Sequence, residues 1–136
     1  MKLIVNTNRI IAALIKDSVS RKLIFNSSLE LLLIPSSETE IKKWLPMVLE
    51  KARITKEEFF MIYTKLKEKM TLLPDELVQL YMTEAKKIMD AVDSADTPFI
   101  AAALATESDI WSDDQHFEKQ NTIKIWKTKD LIQFLQ

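Results

Sequence analysis

Several oxygen-bearing side chains stand where an α/β chain places its chemistry. Asn6 follows the apolar run Leu3-Ile4-Val5, with Thr7 and Asn8 beside it. Glu40 lies in the first turns of the helix expected after Leu31-Leu32-Leu33-Ile34, Asp96 stands just before an apolar helix, and Asp113 and Asp114 follow Ile110-Trp111. In open parallel sheets ligands bind beyond the carboxyl ends of the strands, so these positions can converge on one edge. Carboxylates gathered there repel one another, and burying them without a counter-ion is costly. A divalent cation resolves the conflict. Mg²⁺ prefers hard oxygens and keeps several waters while bridging carboxylates to a phosphate. Such an ion can polarise a phosphoryl oxygen, orient an attacking water and lower its pKa.

Each residue also has a plainer reading. Asn6 can satisfy backbone groups at a strand end, Glu40 can be a solvated helix glutamate, and Asp96 can favour the positive end of a helix dipole. Asp114 can be a turn or cap residue, with Asp113 competing for that job. His116 reads as an ordinary surface residue more readily than as a ligand.

Composition narrows the alternatives. The chain has 136 residues, a length that predicts a single domain over 1–136. It carries a net charge of −1 and has a pI near 5.9. A binder working through a broad basic surface would be strongly positive, so a polyanion must be held by local Lys/Arg groups or by a metal. There are no cysteines, which excludes disulfides and thiolate metal sites and suits a cytoplasmic location. The single histidine excludes His-pair zinc motifs. Glycine is absent, whereas average usage predicts about ten. The glycine-dependent dinucleotide and P-loop phosphate cradles are thereby excluded. No apolar run is long enough to span a bilayer, and the apolar start is too short for a signal peptide.

The elements that must position these residues follow from periodicity. Strands are expected at Leu3–Val5, Leu31–Ile34, Met70–Leu73, Asp109–Ser112 and Ile123–Trp126. Thr7 is expected to cap a helix over Arg9–Ile15, and a short helix covers Ser20–Asn26. Ser36 or Ser37 is expected to cap a helix with Ile41, Trp44, Leu45 and Val48 on one face, disturbed at Pro46. Thr55 and Glu58 form a capping-box pattern before Phe59, Ile62, Tyr63 and Leu66, a core stripe or dimer face. Pro74-Asp75-Glu76 opens a helix with Leu77, Leu80, Tyr81 and Ile88 inward. Thr97 as cap and Pro98 at the first position start a helix that is apolar on nearly all sides through Ala105. Asp114–Lys119 is a short helix, and Thr128 caps a last one. Strands alternating with helices imply a parallel sheet covered on both faces.

These segments carry a resemblance. Ile4-Val5-Asn6-Thr7-Asn8, Glu40-Ile41, Asp96-Thr97-Pro98-Phe99-Ile100-Ala101-Ala102-Ala103-Leu104 and Ile110-Trp111-Ser112-Asp113-Asp114-Gln115-His116-Phe117 together resemble the PIN domain, a family that includes VapC-type toxin ribonucleases. The resemblance implies a three-layer α/β/α fold and Mg²⁺- or Mn²⁺-dependent endoribonuclease activity. It also implies an antitoxin partner if the chain is the toxin of a toxin–antitoxin pair, and a homodimer. It places Asn6, Glu40, Asp96 and Asp114 on the family's metal-holding positions, favours Glu40 over Glu38, and makes Thr7 and Asn8 orienting groups. Two positions depart from the pattern. Asn6 stands where the family has an aspartate, and His116 where it often has an acid. An amide oxygen can ligate a hard cation but brings no charge and cannot act as a base. Asn6 therefore reads as a weak ligand, a natural loss of activity or an engineered change. Beside the nuclease stands a second reading, a catalytically inactive domain that binds RNA or a protein. Two basic groups, Lys42, Lys43, Lys51 with Arg53 and Lys65, Lys67 with Lys69, read first as solvated helix faces.

Overall fold

The computed structural model describes residues 1–16 and 18–136. Strands β1 (Lys2–Val5), β2 (Glu30–Leu33), β3 (Met70–Leu72), β4 (Asp109–Trp111) and β5 (Ile125–Trp126) form one sheet in the order β3-β2-β1-β4-β5. Each pairing is parallel. Parallel strands need crossovers, and the helices supply them. These are α1 (Thr7–Ile15), α2 (Val19–Ile24), α3 (Pro35–Lys43), α4 (Leu45–Ala52), α5 (Lys56–Glu68), α6 (Asp75–Gln79), α7 (Met82–Met89), α8 (Thr97–Thr106) and α9 (Thr128–Phe134).

Alternation along the strands divides the core into two halves, giving the expected α/β/α layers. Leu3, Val5, Leu31, Leu33 and Trp111 face a layer that contains Ile10 and Leu14 of α1, Ile41 of α3 and Leu66 of α5. Ile4, Leu32 and Ile110 face the other side, against Val78, Ala85 and Ile100. The alanines of α8 explain its place: Ala101, Ala102 and Ala103 are fully buried, and their small side chains let the helix lie close on the sheet. The stripe Phe59, Tyr63 and Leu66 is core.

Local expectations needed correction in six places. The helix cap after β1 is Asn6, whose Oδ1 accepts from the Asn8 N–H, and Thr7 is already inside α1. Neither Ser36 nor Ser37 caps α3. Ile34 holds that position, Pro35 begins the helix with its preset φ, and Ser37 is fully buried. Asp96 and Lys127, not Thr97 and Thr128, precede α8 and α9. The helix through Trp44 breaks there: Pro46, which lacks an N–H, falls in the first turn of α4, and Trp44 is exposed. The helix after Pro74 likewise divides at Leu80 and Tyr81, so Val78 turns inward and Leu80 outward. The last strand starts at Ile125 because the Gln120 side chain occupies both backbone groups of Ile123.

Candidate metal centre

The strand order reverses between β1 and β4, since the first three strands run to one side and the last two to the other. Such a switch point opens a crevice beyond the carboxyl ends. Asn6 leaves β1 there, its N–H donating to the Trp111 carbonyl at 3.0 Å, and Ser112, Asp113 and Asp114 leave β4 beside it. Asn6 is buried.

Asp96 enters from the opposite layer. A short 3-10 turn, Ser94–Asp96, runs directly into α8. Asp96 is 8% exposed, and its Oδ2 is buried without a hydrogen-bond partner. Burial first, then the charges of Asp114 and Asp93, push its carboxyl up to about 6, while His116 pulls it down. An ionised carboxylate in that setting calls for a cation.

The Asp114 segment is fixed by local bonds. Asp114 N–H donates to Ser112 Oγ at 3.0 Å, and Asp114 Oδ1 accepts from the His116 N–H at 2.9 Å, opening the 3-10 turn Gln115–Lys119. Phe117 in that turn is fully buried and packs edge-on against Phe99 of α8, ring centroids 6.1 Å apart. This aromatic pair ties the Asp114 turn to the helix that begins after Asp96. His116 Nδ1 lies 3.1 Å from Asp93, 3.6 Å from Asp96 and 3.7 Å from Asp114. Among the described residues, Asp93, Asp96 and His116 offer ligand atoms within 4.8 Å of one another. The donor set, which includes a buried carboxylate oxygen that makes no hydrogen bond, fits a divalent cation.

Glu40 approaches by another route. Its Oε1 accepts from Thr7 Oγ1 at 3.1 Å, and Thr7 shares a 2.8 Å hydrogen bond with Ser37. Thr7 therefore links Glu40 to Ser37. Glu38 points away, to Lys67 at 2.6 Å and to Tyr63, whose hydroxyl is held above its ordinary pKa chiefly by burial and then by the Glu38 charge. Asp113 also points away. It pairs with Arg9 at 2.8 Å and accepts from both the N–H and the hydroxyl of Thr128. Asn8 is exposed and contributes its backbone N–H.

The structure thus draws Asp96, Asp114 and His116 together, with Asn6 on the same edge and Glu40 anchored behind Thr7. Asp93, which the motif-bearing segments of the sequence do not include, joins this group. One signal was present: Asp93 and Asp96 are three apart, and a 3-10 turn stacks such positions.

The family model of the PIN domain matches residues 4–136. No curated protein matches the sequence. A chain from the solved structure of VapBC2 from Rickettsia felis, bound to a DNA fragment from their promoter, superposes with a TM-score of 0.71. The superposition covers 93% of this chain and 98% of that one at 12% identity, a likeness of fold. With the match running over nearly its whole length, this chain belongs to the PIN domain family.

Proposed function

We propose that residues 1–136, as one domain, form a metal-dependent endoribonuclease that hydrolyses RNA phosphodiester bonds, the toxin of a toxin–antitoxin pair. The observation that carries this reading is Asp96 Oδ2, buried among other acids at the sheet's switch point without a hydrogen bond, with His116 Nδ1 3.6 Å away. Asp96 and Asp114, with Glu40 and Asn6 on the same edge and Asp93 and His116 alongside, would hold Mg²⁺ or Mn²⁺. Carboxylates suit both ions, and the imidazole nitrogen of His116 favours Mn²⁺ of the two. When bound, the ion would supply a Lewis acid for the phosphoryl oxygen and a more acidic water. The chain's own part is positional. Thr7 and Ser37 aim Glu40, Ser112 aims Asp114, and the Phe99–Phe117 pair keeps the two acidic segments in register. The VapBC2 likeness supports an antitoxin partner, and the absence of cysteine is compatible with a cytoplasmic setting.

The departure at position 6 sets the level of activity. Asn6 brings no charge, and its Oδ1 already caps α1. Cleavage of a labelled RNA with Mn²⁺ and with EDTA tests the reading in three proteins: the chain itself, Asn6→Asp and Asp114→Asn. Asn6→Asp should cleave at least tenfold faster than the chain as given, EDTA should abolish the activity, and Asp114→Asn should remove it from either background. If Asn6→Asp shows no metal-dependent cleavage that Asp114→Asn abolishes, the enzyme reading fails. A second reading has its own observation: His116 sits among three carboxylates as an internal partner. A domain balanced in that way could bind RNA or a protein without turnover, and its binding would survive EDTA.

A further inference from the structure

Asp90, Asp93 and Asp96 crowd into the join between α7 and α8. Asp93 and Asp96 belong to the candidate centre, and Asp90 does not. It is exposed and, among the described residues, forms no ion pair. It stands at the C-cap of α7, where the negative end of the helix dipole disfavours a carboxylate. Its side chain therefore does not serve α7. Thr97 Oγ1 donates to Asp90 Oδ1 at 2.7 Å across a separation of 7 residues. Thr97 opens α8 and is only 1% exposed. The bond joins a buried donor to a charged acceptor, which is the stronger kind of hydrogen bond.

This bond closes the chain around the two acids of the centre. At the entry, the Val92 and Asp93 N–H groups both donate to the Met89 carbonyl at 2.9 Å, and Val92 packs half-buried against the core beside α8. Within the loop, Asp93 Oδ1 accepts from the Ala95 N–H at 2.9 Å, and the Asp93 carbonyl accepts from the Asp96 N–H at 3.1 Å. At the exit, the Thr97 hydroxyl, which the sequence offers as a helix cap, reaches back to Asp90 instead. Asp96 holds the cap position but makes no side-chain capping bond, which leaves its carboxylate to face Asp93, Asp114 and His116. Two carboxylates held side by side repel each other. The loop must therefore be closed by a bond that does not depend on them, and the Asp90–Thr97 pair supplies one.

We propose that Asp90 and Thr97 are positioning residues, whose hydrogen bond locks the loop 90–97 in the conformation that presents Asp93 and Asp96 side by side. The consequence for a cation rests on the proposed metal centre; the closed loop does not. The role belongs to the acceptor oxygen of Asp90 rather than to its charge. The Thr97 hydroxyl needs only an acceptor, which an amide carbonyl also provides.

The test compares the full chain with variants that break or keep this bond. Asp90→Ala and Thr97→Val remove it, whereas Asp90→Asn keeps an acceptor and Thr97→Ser keeps a donor. Amide exchange in EDTA, read by NMR, reports the loop without metal. The Ala95 and Asp96 amides should exchange about tenfold faster in Asp90→Ala and Thr97→Val, measured relative to the amides of β1 and β4, whose exchange tracks global unfolding. Calorimetric titration should show Mn²⁺ affinity lowered about tenfold in the same two proteins. Asp90→Asn and Thr97→Ser should stay within about twofold of the parent in both measurements, and the double variant Asp90→Ala with Thr97→Val should lose no more than either single one, as two halves of one interaction do. Unchanged loop exchange, or an equal acceleration in the strands, overturns the proposal. So does a loss in Asp90→Asn as large as that in Asp90→Ala, which would assign the effect to charge. A loop that responds as expected in a chain that binds no Mn²⁺ counts against the metal reading alone. Saturable Mn²⁺ binding that none of the variants alters counts against the positioning role alone.

Discussion

Asp96 is the residue on which most of the electrostatics turn. Its carboxyl is raised from 3.8 to about 6, first by burial and then by Asp114 and Asp93. A folded-state pKa above the unfolded one means that the native state binds the proton more tightly. Stability from this group is therefore full below about pH 4 and is lost as pH rises through 6. In EDTA, Asp96→Asn should be more stable than the parent at pH 7 by about 2 kcal/mol, and the difference should vanish near pH 4, as read by urea unfolding. Added Mn²⁺ should stabilise the parent and not the variant. Asp113 offers the contrast. It sits on Arg9 and on both donors of Thr128 at the start of α9, so Asp113→Asn should cost about 1 kcal/mol of stability and leave metal affinity alone. Asp96 was legible in the sequence because it precedes Thr97-Pro98 and an apolar helix, and the Asp113-Asp114 pair because it follows a strand. Asp93 was not, because its position depends on a 3-10 turn that periodicity does not encode. Nor could the sequence separate Asp113 from Asp114, since neighbours at a strand end point to opposite sides.

At the scale of elements, the absence of glycine leaves a measurable trace. Arg53 after α4 and Glu107 after α8 adopt left-handed backbone, φ 56° and 51°, at helix ends that glycine ordinarily occupies. Ile54 and Ser108 each donate back to the last turn, to Leu49 and Ala103, so these ends are well formed despite the steric cost of a Cβ. Glu107→Gly and Arg53→Gly should each stabilise the fold by about 1 kcal/mol, a rise of about 3 °C in Tm. Loss of stability in both would show that the side chains carry contacts outweighing the backbone strain. The strands and α8 were readable from their apolar runs, which a sheet covered on both faces demands. The breaks at Trp44 and at Leu80–Tyr81 were harder. A single helical period carried across them assigns Trp44 and Leu80 inward, whereas each break resets the buried face, to Val48 in α4 and to Val78 and then Ala85.

For the whole molecule, the order β3-β2-β1-β4-β5 does what the sequence could only suggest. It brings residue 6 beside residues 112–114 and leaves a crevice that the acids from the α8 side can enter. The central claim is that the switch point is a divalent-cation site centred on Asp96. Calorimetric titration of Mn²⁺ into the chain, Asp96→Asn and Asp113→Asn tests it most directly. Saturable binding by the chain and by Asp113→Asn, with at least a tenfold loss in Asp96→Asn, is the predicted result. No saturable heat from the chain, or equal affinity in the Asp96→Asn protein, would contradict it.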